Sequence, residues 1–161
     1  MKKYKILILD TYYDNFLESF DREYYHKKIS YKKLLSLIMG QKFGTADFYS
    51  RNLIKIRHDA KEIIVNYWRL QKLWAKENNK FWLYWFVSIA GSFRLINKIP
   101  FIKIGYNHIL NIITKNIFEK QIQDYKPDIL YVQNLYHLDN KSLYKIRKSG
   151  IKIIGQIAYQ L

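Results

Sequence analysis

The stretch that decides the fold is Lys5-Ile-Leu-Ile-Leu-Asp-Thr-Tyr-Tyr13, in which four apolar residues run from Ile6 to Leu9 and stop at a carboxylate. An unbroken apolar run of this length, without alternation, marks a strand buried on both faces, as in a parallel sheet. The same signature returns three times. Glu62-Ile-Ile-Val-Asn66 is the second run. Asp128-Ile-Leu-Tyr-Val-Gln133 is the third, behind Lys126-Pro127, where proline ends the preceding helix. Ile151-Lys-Ile-Ile-Gly155 is the fourth, behind Gly150.

Helical spacing fills the intervals. Ala46, Tyr49, Leu53 and Ile56 form one stripe behind Gly44-Thr45, with Thr45 as the expected N-cap. Leu70, Leu73 and Trp74 form another, and Ile109, Leu110, Ile113 and Ile117 begin a long one that runs toward Tyr125. Around Leu143 and Ile146 the spacing predicts a short helix, capped by Asp139 or Asn140 and stopped by Gly150. This alternation predicts an α/β domain: a doubly wound, mostly parallel, Rossmann-like sheet of at least four strands with helices on both faces.

In such a sheet ligands bind beyond the carboxyl ends of the strands. Asp10, Thr11, Tyr12 and Tyr13 are therefore expected at the rim, with Asn66 after the second strand, Gln133 and Asn134 after the third, and Gln156 after the fourth. Amides and hydroxyls both donate and accept hydrogen bonds, which suits a polyhydroxylated ligand. Polar residues also simply begin loops, so the rim has a plain structural reading beside the functional one. Gly44 before a helix start would expose backbone N–H groups that can hold an anion, or it makes a tight turn.

The chain of 161 residues is long enough for one domain, and at 49% hydrophobic it can bury a core. It has no cysteine, which excludes disulfides, thiol nucleophiles and thiolate metal sites. The apolar run behind Lys2-Lys3 is too short for a signal-peptide core, so a cytoplasmic protein is expected. Neither G-x-G-x-x-G nor G-x-x-x-x-G-K-[ST] occurs, which removes the main support for dinucleotide or P-loop binding. His26, His58, His108 and His137 lack metal-ligand spacing, and no G-x-S-x-G marks a nucleophilic serine; of the four, His137 follows the third strand and could reach the rim. No metal site is expected. A phosphoacceptor receiver domain shares the "ILILD" strand but needs paired acids after it and an Asp at the end of the third strand. Thr11 and Gln133-Asn134 stand there instead.

A net charge of +15 raises the question of a polyanionic partner. The lysines are scattered in a background rich in Ile, Asn and Tyr, a bias of composition, and no nucleic-acid reader motif is present; nucleic acid is not the expected partner. One insert, at about residues 80–104, stands out. Phe81 to Phe93 is strongly apolar yet too short for a bilayer span of about 20 residues. Trp82, Trp85, Ile89, Phe93 and Ile96 fall on one helical face, flanked by Lys76, Lys80, Arg94 and Lys98. Aromatics beside basic residues describe an interfacial helix, with Trp82, Trp85, Arg94 and Lys98 toward an anionic membrane surface. The alternative is a helix packed on the sheet or on a partner domain.

Three segments carry a family resemblance: "KILILDTYYDNFLESF", "FGTADFYSRNL" and "HDAKEIIVNYWRLQKLWAKEN". Over residues 4–79 the chain resembles the N-terminal region of bacterial GT-B glycosyltransferases, those described as family-four-like or CgeB-like. "KPDILYVQN" and "IKIIGQIA" extend the likeness more loosely, and the 81–103 insert has no counterpart in it. The resemblance implies an acceptor-side half that works with a C-terminal half binding a nucleotide-sugar donor, without a metal, in cell-surface glycan synthesis at the inner membrane face. It places Asp10, Thr11, Tyr12, Tyr13, Gly44, Thr45, Asp47 and Asn66 toward the cleft, with a glycan or lipid-linked acceptor as partner. Asp10, Asp14 and Asp47 are the candidate general bases. No donor-binding half follows in these 161 residues, so this polypeptide alone is expected to be inactive, its missing domain or a partner chain being required. A non-enzymatic α/β binding module, docking through the basic aromatic insert, is the second reading.

Overall fold

The computed structural model describes residues 2–93, 100–135 and 138–156. Four strands, β1 (Lys5–Asp10), β2 (Asp59–Ile64), β3 (Ile129–Val132) and β4 (Lys152–Gly155), form one sheet in the order β2-β1-β3-β4. All three pairings are parallel. The α/β class, the parallel sheet and the helices on both faces agree with the sequence.

Between β1 and β2 lie α1 (Asp14–Tyr24), α2 (Tyr31–Gly40) and α3 (Phe48–Lys55). Between β2 and β3 lie α4 (Trp68–Glu77), α5 (Phe81–Phe93) and α6 (Pro100–Tyr125), and α7 (Asn140–Lys148) leads into β4. Strand side chains alternate between faces. Ile6, Ile8 and Ala60 pack with Tyr49 and Leu53 of α3. Leu7, Leu9, Ile63, Leu130 and Val132 pack with Phe118 and Ile122 of α6 and Ile146 of α7. The chain therefore steps to one side of β1 over one face and to the other side over the opposite face. That reversal makes a switch point, with a crevice between the carboxyl ends of β1 and β3.

Two boundaries differ from the sequence reading. The second strand runs Asp59–Ile64 rather than Glu62–Asn66, because pairing with β1 begins where the Asp59 N–H donates to the Tyr4 carbonyl at 2.9 Å. It ends before Asn66, whose side chain is committed to another loop. Thr45 is not the N-cap of α3: Asp47 occupies that position, and its side chain makes no capping bond. The α7 boundaries match, with the Asp139 carboxylate accepting from Ser142 N at 2.7 Å and Gly150 at φ +83° beyond the helix.

Helices α1 and α2 complete the structure above the sheet. Leu17, Phe20, Leu34 and Ile38 meet Tyr12, Ile64, Tyr67 and Leu70 in one cluster beyond the strand ends. Ser30 caps α2 by accepting from Lys33 N at 3.3 Å. Asp21 ties α1 to α4, taking the Tyr67 hydroxyl at 2.6 Å and facing Arg69 at 3.5 Å. The rim is thus held by packed helices rather than by free loops.

Candidate functional site at the carboxyl ends of the strands

At the switch point, side chains from three separate segments meet. Asp10 ends β1, Gln133 follows β3, and Thr45 stands in the turn before α3. Thr45 Oγ1 lies 3.4 Å from Asp10 Oδ2 and 3.0 Å from Gln133 Oε1. A hydroxyl carries one proton and cannot donate to both. Turning the Gln133 amide end for end keeps its shape and gives its buried NH₂, unpartnered among the described residues, an acceptor in Thr45. The row then runs in one direction: Gln133 donates to Thr45, and Thr45 donates to the Asp10 carboxylate.

Asp10 is only 8% exposed, and its other oxygen accepts from Thr11 N at 2.7 Å. Burial raises its pKa, against the opposing pull of the Thr11 N–H and the Thr45 hydroxyl. Both oxygens have internal partners, so Asp10 orients Thr45 and Thr11. A ligand above the crevice would meet the hydroxyls and amides first.

The other expected site residues divide by their surroundings. Asn66 clamps the backbone of Tyr12, accepting from its N–H at 3.0 Å and donating to its carbonyl at 2.6 Å. Tyr12 is buried in the helix cluster, with its hydroxyl 3.5 Å from the Met39 sulfur. These two hold the rim together. Tyr13 is exposed and rests edge-on against Phe43, while Gly44 is exposed at φ +57°. Thr11 and Asn134 lie half-buried on the other side of the crevice, over Leu9 and Val132. Asp14 opens α1 at the surface, where its charge complements the helix N-terminus. Asp47 is half-buried and lines a groove beside β2.

One carboxyl was not picked out by sequence reasoning. Glu62 lies within β2, is 5% exposed and accepts from Ser50 N at 3.1 Å. Burial pushes its pKa up to about 7; the Ser50 hydrogen bonds oppose this, and the charges of Asp10 and Asp47 add to it. The signal was present: an acid inside an apolar strand run, in phase with Ala60 and Ile8. Gln71 is a second case, fully buried, donating to the Ile64 carbonyl at 2.6 Å and accepting from Gln121 at 2.7 Å. A polar residue between Leu70 and Trp74 on a core-facing stripe marks it only in hindsight.

Helix α5 packs through Leu83 against Trp74, Ala75, Ile113 and Ile117 rather than on the sheet. Its outward face is aromatic. Trp82 is 55% and Trp85 63% exposed, with Phe81, Phe86 and Ile89 beside them. Lys80 pairs with Asp124 at 3.7 Å, and Lys76 lies in the last turn of α4. Arg94, Lys98, Ile96 and His137 lie outside the described residues, as does the side chain of Phe93. No helix among the described residues is long and apolar enough to cross a membrane, and no group of three or more His, Cys, Asp or Glu side chains among them could hold a metal.

No family model matches this chain, and no curated protein or solved structure matches it either.

Proposed function

We propose that the crevice between β1 and β3 binds a polyhydroxylated ligand, and that the chain is the acceptor-side half of a nucleotide-sugar-dependent glycosyltransferase. The observation that carries this reading is the row Gln133, Thr45 and Asp10 at the switch point of a parallel sheet. Its members are an amide, a hydroxyl and a carboxylate, flanked by Thr11, Asn134 and the exposed Tyr13 ring. Such a set exchanges hydrogen bonds with sugar hydroxyls in either direction. The sequence resemblance supplies the reaction class: transfer from a donor held by a second half to a glycan or lipid-linked acceptor held here. Of the candidate bases, Asp47 is half-buried at the α3 N-terminus and makes no capping bond, whereas Asp14 lies at the surface. Asp10, held by two internal donors, is the positioning residue.

A glycan array probed with the chain tests this reading. Retention of neutral oligosaccharides by the wild type, lost in Gln133→Ala at unchanged melting temperature, is the expected result. Equal retention by both proteins would contradict it.

The exposed aromatic face of α5 favours a membrane-surface location as a second element of the reading. Trp and Phe at four neighbouring solvent-facing positions with Ile89 beside them, and a net charge of +15 behind them, suit the interface of an anionic leaflet. A cytoplasmic enzyme acting on lipid-linked acceptors would use that face to stay beside its substrate. A binding module docked through the same face, without transfer, is the alternative, and retention of oligosaccharides at the crevice separates the two.

A further inference from the structure

The free edge of β2 is not used by the rim, and the pairing with β1 fixes what it presents. Asp59 donates to the Tyr4 carbonyl and Val65 to the Asp10 carbonyl, each at 2.9 Å. Successive strand residues point their backbone groups to opposite sides, so Ala60, Glu62 and Ile64 turn away from β1. The Ile64 carbonyl is taken by Gln71. The N–H and C=O groups of Ala60 and Glu62 open toward a groove of about 1240 Å³, bounded by β2, α2 and α3 and reaching α4 and α6. Glu62 and Gln121, both more than nine-tenths buried, line this groove, and Glu62 Oε2 and Gln121 Oε1 have no hydrogen-bond partner among the described residues. Lys32, Lys42, Arg51 and Lys61 also line it, and none makes an ion pair among the described residues.

We propose that this groove receives an extended, acidic segment of a partner protein, which adds to the sheet as a strand beside β2. An edge strand with free backbone groups is a template for another strand, and added strands are held chiefly by main-chain hydrogen bonds. The occupant is one extended segment rather than a second copy of the sheet, because α2 lines the groove alongside β2 through Leu35, Ser36 and Met39. It is acidic because Lys32, Lys42, Arg51 and Lys61 outnumber Asp47 and Glu62, the lining carboxylates without an ion pair among the described residues. The β2 strand offers six residues, or about 20 Å of pairing length. This inference stands apart from the sugar-binding reading and does not depend on it.

A displayed library of random ten-residue peptides, selected on the full chain, tests it. Selected peptides carry Asp or Glu at alternate positions and slow hydrogen exchange of the Ala60 and Glu62 amides at least tenfold. Binding falls tenfold or more in Ser36→Trp, which fills the groove from an exposed helix position, and in the Lys32→Glu, Arg51→Glu double variant, both checked for unchanged melting temperature. Failure to enrich any peptide above the Ser36→Trp background would overturn the proposal. So would peptides that bind while leaving exchange at Ala60 and Glu62 unaltered.

Discussion

Thr45 illustrates how much rests on one hydroxyl. It joins the ends of β1 and β3 through side chains, beside the backbone bond from Gln133 N to the Leu9 carbonyl, and it serves a buried carboxylate. Thr45→Val keeps the shape and removes the proton, leaving Asp10 and Gln133 each short of a partner. The expected cost is about 1–2 kcal/mol in urea unfolding. Glu62 gives a second residue-scale prediction, and its sign is fixed by the direction of the shift. Its folded pKa of about 7 lies above the ordinary 4.5, so between those values the folded chain holds a proton that the unfolded chain has lost. Stability contributed by Glu62 is complete below about pH 4.5 and falls as pH rises through 7. Melting temperatures measured from pH 5 to 8 should decline in the wild type and decline less in Glu62→Gln. Asp10 shifts in the same direction, so some slope remains in the variant.

Elements were legible where an apolar pattern matched one period. The runs at Ile6, Leu130 and Ile153 lie in strands, and Asp139 caps α7 as its spacing indicates. Asp139→Ala should lower the denaturation midpoint by loss of the bond to Ser142 N, read by chemical denaturation. The second strand was misplaced toward its C-terminus because Lys61 and Glu62 break the apolar run. Strand pairing, which no local pattern encodes, extended it back to Asp59. Thr45 was misread as a cap because its hydroxyl is drawn away by Asp10 and Gln133, residues 35 and 88 positions distant in sequence. Asn66 carries the same lesson: its type and position suggested the rim, and its two amide atoms are spent on Tyr12. Contacts at such separations follow from the fold and precede it in no short motif.

At the scale of the whole molecule, a parallel sheet with a switch point brings the rim residues together, while α5 lies apart from it against α4 and α6 through Leu83. The two surfaces make separable predictions. Replacing Trp82 and Trp85 with serine should abolish sedimentation with vesicles containing anionic lipid and leave the melting temperature unchanged, since both side chains are exposed. Persistence of vesicle binding would remove the membrane role of α5. The central claim, that the β1–β3 crevice receives a polyhydroxylated ligand, is tested most directly by mapping amide chemical shifts of the isotope-labelled chain during titration with neutral oligosaccharides. Saturable shifts at Thr11, Gly44, Thr45 and Asn134, absent in Gln133→Ala, are the predicted result. Shifts confined to other surfaces, or none at millimolar ligand, would contradict the account.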